Sequence, residues 1–242
     1  MTASCVQIPN RAAIYVIGED RFNFLQGLIT QDIFLLKSQP LIYSCLLTSN
    51  GKFLFDFFIF EDGDRLVIDC EGGARAEALL KSLKKFTLRS KVTLELQDDL
   101  EVYQIFNADS DNGFKDPRHD DAGYRFYNLP SLQGLSLQSM DHKHKACDDE
   151  TWDTHRIRLC IPDGARDMIP EKSFLHESDI IAKTAVSYTK GCYMGQELVS
   201  RMHHRGLIKK QLRCVDLKTI PDGAELKSSC GGIGLALVKL DL

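Results

Sequence analysis

Two turn dipeptides constrain the first half of the chain more than any other feature. Asn50-Gly51 and Asp62-Gly63 accept the positive φ that tight hairpins demand, and they separate three apolar runs at 41–48, 53–60 and 65–70. Strands joined so closely run antiparallel, so 41–70 is expected to be a meander. A short apolar strand at 12–17 precedes it. Between the two, Asp20 is placed to cap a helix whose apolar residues Phe22, Leu25, Ile29 and Ile33 recur at helical spacing. That helix would turn Gln26, Gly27, Thr30, Gln31 and Asp32 toward solvent.

A second amphipathic helix is expected at 74–86, with Ala76, Leu79, Leu80, Leu83 and Phe86 on one face and Lys81, Lys84 and Lys85 elsewhere. Strands follow at 91–96 and 100–106. The stretch 107–122, rich in Asp, Gly and Asn, reads as a loop. After a strand at 124–129, Asp148, Asp149 and Glu150 suit the positive first turn of a helix that Pro162 limits, with Trp152 as its core anchor. A short helix at 196–203 and strands at 210–217 and 233–240 complete the chain. Strand-rich blocks punctuated by single helices, without βαβ alternation, predict an α+β fold rather than a doubly wound sheet.

A chain of 242 residues can hold one large domain or two to three small ones. Its net charge of -4 marks neither a polyanion binder nor an acidic tail. The longest apolar run, 53–60, is broken by Asp56 and too short to cross a bilayer, so no transmembrane helix and no membrane partner are expected. Residues 1–9 have neither an apolar h-region nor an Arg-rich presequence, which points to a bacterial-type cytoplasmic protein. The eight cysteines are scattered without a CxxC pair, several of them in apolar runs, as in a reducing compartment with few or no disulfides.

Chemistry concentrates in Lys190-Gly191-Cys192-Tyr193-Met194-Gly195-Gln196-Glu197, followed by Leu198-Val199-Ser200-Arg201. Lys190, Arg201 and the main-chain amides of a helix starting near Gly195 would favour a thiolate at Cys192. A glycine on each side would let a ligand or partner approach the backbone closely. Spacing alone leaves Cys192 open between a reactive thiol and an ordinary residue of a glycine turn. Glu197 and Arg201, at i and i+4, can equally pair on the helix surface. The basic run His203, His204, Arg205, Lys209, Lys210 and Arg213 is either a surface for an anionic partner or a solvated strand edge. No aromatic residue interleaves those charges, so nucleic acid is not expected. His142, His144 and Cys147 form HxHxxC, half of a zinc site without a second half.

Together these residues resemble the YgfZ-type folate-binding proteins, relatives of the glycine cleavage T protein. KGCYMGQELVSR followed by HHRGLIKKQL is similar to the signature of that family, and the double histidine to the branch containing the mitochondrial iron–sulfur assembly factor. FLQGLITQDI, TSNGKFLFDF, LKKFTLRSKVTL and WDTHRIRLCIP fall where the family has similar segments, so the resemblance spans most of the chain. It implies a cloverleaf of α+β subdomains around a central channel that accepts tetrahydrofolate or a related folate. With the loop signals this gives an N-terminal α+β subdomain at 1–106, a middle one at 107–204 carrying the signature, and a shortened C-terminal β subdomain at 205–242.

The implied role is accessory: assembly or repair of iron–sulfur clusters, chiefly four-iron ones, with client enzymes or cluster-carrier proteins as partners. A maturation factor is expected ahead of an enzyme, and the alternative activity is a tetrahydrofolate-dependent aminomethyl or one-carbon transferase. Carried over residue by residue, Cys192 is the functional thiol and a transient cluster ligand. Lys190, Gly191, Gly195, Gln196, Glu197 and Arg201 form its frame, and Gln26, Asp32 and Lys52 are ligand-facing groups of the channel. Three departures accompany the match. Arg158-Leu159-Cys160 stands where the family's helix ends Glu-x-Gly, no aspartate occupies the T protein's catalytic place with only Glu77 nearby, and the region after Arg205 is short. Guanidinium in place of carboxylate reverses the charge and removes an acceptor for pterin N–H donors.

Overall fold

The computed structural model describes residues 3–108, 113–129, 132, 145–206 and 208–240. His142 and His144 of the half zinc motif lie outside them, whereas Cys147 is described. The chain gathers into two compact units, one of 1–27, 33–43 and 57–149, the other of 28–32, 44–56 and 150–242.

The first unit is built on two five-stranded sheets. Its elements are β1 (Ser4–Ile8), β2 (Arg11–Ile17), α1 (Arg21–Gln26), β3 (Ile42–Leu47), β4 (Phe53–Asp62), β5 (Arg65–Glu71), α2 (Ala74–Lys84), β6 (Thr93–Gln97), β7 (Val102–Phe106), β8 (Phe114–Lys115), β9 (Tyr124–Tyr127) and β10 (Lys145–Ala146). One sheet has the order β3-β4-β5-β2-β6, with residues of β3 and β4 shared between the units. The other runs β10-β1-β7-β9-β8. The meander expected at 41–70 is present: Asp62 pairs with Arg65 across a two-residue loop in which Gly63 takes φ 61°.

Ala12 to Val16 are buried without a break, which requires cover on both faces of β2. The helix α2, with Ala76, Leu79 and Leu83 buried, packs on β2, β5 and β6. A polar knot joins the two sheets. Asp69 on β5 accepts from Arg11 Nε at 2.7 Å, from Arg125 Nη2 at 2.6 Å and from the Tyr127 hydroxyl at 3.0 Å. Around it Phe60 lies 4.5 Å from the Tyr127 ring and 5.4 Å from Phe114, while the Arg125 guanidinium sits 4.0 Å over Phe58. The loop expected at 107–122 contains β8 and a buried pair, Arg118 with Asp116 at 2.7 Å.

In the second unit, α3 (Asp149–Arg158), α4 (Gly164–Asp167), α5 (Asp179–Thr184) and α6 (Gln196–Arg205) precede a three-stranded antiparallel sheet of β11 (Lys210–Asp216), β12 (Glu225–Cys230) and β13 (Ile233–Lys239) in the order β11-β13-β12. Trp152 is buried on α3, as expected. Arg156, two residues before Arg158, is the buried arginine of that helix. Its guanidinium binds Asp167 at 2.7 Å and Ser228 at 3.1 Å, tying α3 to α4 and β12. Cys160 follows α3 with φ 57°, the left-handed geometry that suits glycine after a helix, and its sulfur accepts the Cys214 N–H at 3.3 Å. All eight cysteines are free thiols, and no described helix is long and apolar enough to cross a membrane.

One expectation is corrected. The helix predicted from Asp20 to Ile33 stops at Gln26, and Ile33–Lys37 forms a separate 3-10 turn. Asp20 contributes no side-chain cap, because its carboxylate accepts the Lys91 N–H at 2.8 Å. Gly27 weakens any continuation, and the chain beyond it pairs elsewhere, Ile29 bridging to Leu46.

Candidate functional site

The site grows from the segment 28–32 of the second unit. Thr30 is fully buried, and all its polar groups are used: its N–H donates to the Cys45 carbonyl, its hydroxyl donates to the Ala185 carbonyl at 2.6 Å, the same oxygen accepts from Cys45 N, and its carbonyl accepts from Ser187 N. Gln31 is 8% exposed and donates from Nε2 to the Thr184 carbonyl at 2.8 Å. Thr30 and Gln31, expected to meet solvent, are therefore part of a clamp between β3 and the chain after α5. Buried hydrogen bonds, which a polar side chain needs once it leaves water, explain the reversal.

Lys190 closes the clamp. It is 9% exposed and its Nζ donates to the Ile29 and Gln31 carbonyls, both at 2.9 Å. Burial lowers its pKa from 10.5 to about 8, and the Asp32 carboxylate offsets part of that shift. The ammonium expected to activate Cys192 is thus committed to holding the backbone. Tyr193, also buried, has its ring 5.2 Å from Nζ, and burial raises its phenol pKa.

Two glycines complete the frame. Gly51 (φ 76°) ends the turn in which Thr48 accepts from Gly51 N and donates to the Lys52 carbonyl, and Gly195 (φ 81°) stands immediately before α6. A β-carbon on Gly195 would lie 2.6 Å from the Thr48 oxygen, so the turn fills the space on that side of the glycine. Gly191 has nothing within 4 Å of where its β-carbon would stand. Lys190, Tyr193 and Gly195 thereby pin a loop whose crest, Gly191-Cys192, is exposed.

The remaining predicted residues make contacts of their own. Arg201 pairs with Glu197 one helical turn away, the surface pairing left open by the sequence. Lys52 donates to the Lys172 carbonyl at 2.8 Å and sits 3.1 Å over the Phe174 ring; burial lowers its pKa, and Glu177 partly restores it. Gln26, in the first unit, accepts the Ile33 N–H and braces the end of α1. Gln196 opens α6, its N–H bonded to the Tyr193 carbonyl. Lys209 and Arg213 are exposed at the edge strand β11, as both readings of the basic run require. Glu77 is exposed on α2.

Sequence reading missed a cluster beside α6. His176, 3% exposed, is 3.2 Å from the Tyr188 hydroxyl, which donates to the Ala182 carbonyl at 3.1 Å. A phenol has one proton, so His176 Nε2 carries the hydrogen of their contact and Nδ1 is bare, without a partner among the described residues. Tyr188 stacks on His203 at 3.7 Å. Burial, then the His203 charge, lowers the His176 pKa from 6.5 to about 4. Only His203 carried a local signal, as part of the basic run. Among the described residues no group of three or more His, Cys, Asp or Glu side chains is placed to hold a metal ion.

No protein-family profile matches the chain. It is 30% identical over 232 residues to the mitochondrial iron-sulfur cluster assembly factor IBA57 homolog of Mycosarcoma maydis, covering 87% of this chain and 56% of that one. The homolog from Coccidioides immitis is 31% identical over 263 residues, 95% of this chain and 60% of that protein. The Homo sapiens factor is 28% identical, with 86% and 65% covered. The chain thus spans little more than half to two thirds of the length of these relatives. Among solved structures, the glycine cleavage system aminomethyltransferase T from Bartonella henselae matches with TM-score 0.72 at 15% identity, over 98% of this chain and 78% of that one. These likenesses bear out the resemblance to the YgfZ and glycine cleavage T proteins and show a fold of mixed helices and several sheets of that type. They also correct the expected bacterial-type cytoplasm: the relatives are named mitochondrial and point to mitochondria. The composition of residues 1–9 was a poor guide, because the start of a chain spanning part of its relatives' length does not report on targeting.

Proposed function

We propose, for a relative of the mitochondrial iron–sulfur cluster assembly factors that has the fold of a glycine cleavage T protein, an accessory role in assembling or repairing iron–sulfur clusters, chiefly four-iron ones, in client enzymes. The observation that carries this reading is the exposed Cys192 on a loop held at Lys190, Tyr193 and Gly195. A thiol that must meet a cluster on another protein has to be reachable, and its loop has to keep its shape when the partner arrives. The cluster is cargo here, with Cys192 as one transient thiolate ligand and the remaining ligands on the client or carrier. The cloverleaf with its central channel belongs to the same proposal.

The residues at the end of α3 do not fit the family's way of holding a pterin. Arg158 is exposed and offers donors only, and the nearby Asp153 is spent on Arg156 and Arg166. No step of the proposed role is routed through folate. Titration of tetrahydrofolate into wild type and Arg158→Glu tests that part, with tighter binding expected in the variant; equal tight binding by both would show that a carboxylate at this position is dispensable.

The central test is a cell line lacking its own factor of this kind, complemented with wild type or Cys192→Ala, with the activity of a four-iron dehydratase as readout. The variant is expected to fail. Undiminished activity would overturn the role given to Cys192. A second reading, a tetrahydrofolate-dependent aminomethyl transferase, is favoured by the fold and predicts turnover of a methylamine-type donor; Arg158 and the missing aspartate oppose it.

A further inference from the structure

We propose that the tip between α2 and β6 docks the first unit onto an anionic lipid surface. After α2 ends at Lys84, the chain turns through a 3-10 helix at Thr87–Arg89. There Leu88 is 94% exposed and Phe86 42%. Water-exposed apolar side chains of this size are unremarkable singly, but these two lie two positions apart in one short turn that also carries exposed Lys84, Lys85 and Arg89. None of those three cations has an ion-pair partner among the described residues. Acids of the adjoining chain are otherwise placed: Glu19 pairs with Lys91, Asp20 accepts the Lys91 N–H, and Glu77 lies two helical turns back on α2 with Lys81 between.

Local hydrogen bonds close the turn on itself. Phe86 N–H donates to the Leu83 carbonyl, Ser90 N–H to Thr87, Val92 N–H to Ser90, and the Thr87 hydroxyl to the Lys84 carbonyl at 3.0 Å. Inserting the turn into the headgroup region leaves those bonds intact, while Phe86 and Leu88 gain an apolar medium and the long cationic side chains reach lipid phosphates. A protein partner is the weaker occupant. Two apolar side chains fall far short of the roughly 800 Å² per partner of a stable protein interface, whereas a bilayer accepts isolated apolar side chains wherever they land. The contact is peripheral and needs no spanning helix, but it departs from the sequence expectation of no membrane partner, which rested on spans alone.

Co-sedimentation of the full chain with vesicles tests this directly. Wild type is expected to pellet with vesicles of equal parts phosphatidylglycerol and phosphatidylcholine, to stay in solution with phosphatidylcholine alone, and to be released by high salt. Leu88→Asp and the double variant Lys84→Glu/Lys85→Glu are each expected to lower the bound fraction roughly tenfold. Leu88 packs against almost nothing, so its replacement leaves the fold intact, and unchanged circular dichroism checks this. No binding to anionic vesicles overturns the proposal, as does binding that Leu88→Asp leaves unchanged, since that would be adsorption by charge alone.

Discussion

Gly51 and Gly195 meet backbone to backbone: a β-carbon on Gly195 would stand 3.0 Å from the Gly51 α-carbon, and one on Gly51 would stand 2.8 Å from the Gly195 carbonyl oxygen. Two glycines far apart in sequence thus form one contact that fixes the start of α6 against the Thr48 turn. Both also have positive φ, at 76° and 81°. Gly195→Ala therefore pays for left-handed strain and for a main-chain clash together, about 2–4 kcal/mol in all. Urea denaturation of Gly195→Ala and Gly191→Ala checks this. The second variant, with open space around it, is expected to stay close to wild type.

Lys190 yields a pH signature. Its folded-state pKa of about 8 lies below the ordinary 10.5, so between those values the unfolded chain holds more protons than the folded one. Raising the pH through this window therefore stabilises the fold. The neutral amine still has two N–H groups for the Ile29 and Gln31 carbonyls, so the clamp survives deprotonation. Lys190→Met leaves both carbonyls without their donor and is expected to cost about 1–3 kcal/mol. The rise in urea midpoint from pH 8 upward should be present in wild type and missing in the variant, while amide exchange at 30–32 should speed up in the variant.

How far the sequence disclosed these relationships depended on distance along the chain. The hairpins were legible because Gly63 and Gly51 act on their own neighbours, and α2 was legible because Ala76, Leu79 and Leu83 repeat at helical spacing. The clamp was not. Thr30 and Gln31 look like solvent-facing helix residues until their partners, Ala185 and Thr184, are brought beside them from more than 150 positions away. For Lys190, proximity in sequence suggested that it serves Cys192, whereas its ammonium reaches back to residues 29 and 31. Cys160 shows the reverse case: its φ of 57° is the left-handed geometry that suits the glycine which the family resemblance implied at this place.

His176 predicts behaviour on the acid side. Its pKa of about 4 lies below the ordinary 6.5, so between pH 6.5 and 4 the unfolded chain binds the extra proton and stability falls as the pH drops. Protonating the folded state would put a charge on Nδ1, which is buried without a partner, and bring it near His203, 6.3 Å away between ring centroids. Thermal melts from pH 7 to 4 should show a steeper decline for wild type than for His176→Gln. Nitrogen shifts of the imidazole at neutral pH should report the Nε2–H tautomer.

Asp69 anchors the first unit through charge, and its removal is expected to be the costliest single change there. The carboxylate is fully buried; burial alone would raise its pKa, but Arg11 and Arg125 outweigh burial and hold it below the usual 3.8. Its contribution is therefore complete above that value and lost as the pH falls through the lowered pKa. Asp69→Asn keeps the shape but leaves the Arg125 guanidinium, 2% exposed, without its hydrogen-bonded countercharge, at about 3–5 kcal/mol. A double-mutant cycle with Arg125→Met separates the two possible origins of that loss. If the uncompensated guanidinium dominates, Asp69→Asn/Arg125→Met will unfold at higher urea than Asp69→Asn alone; if packing dominates, the double variant will be the least stable of the set.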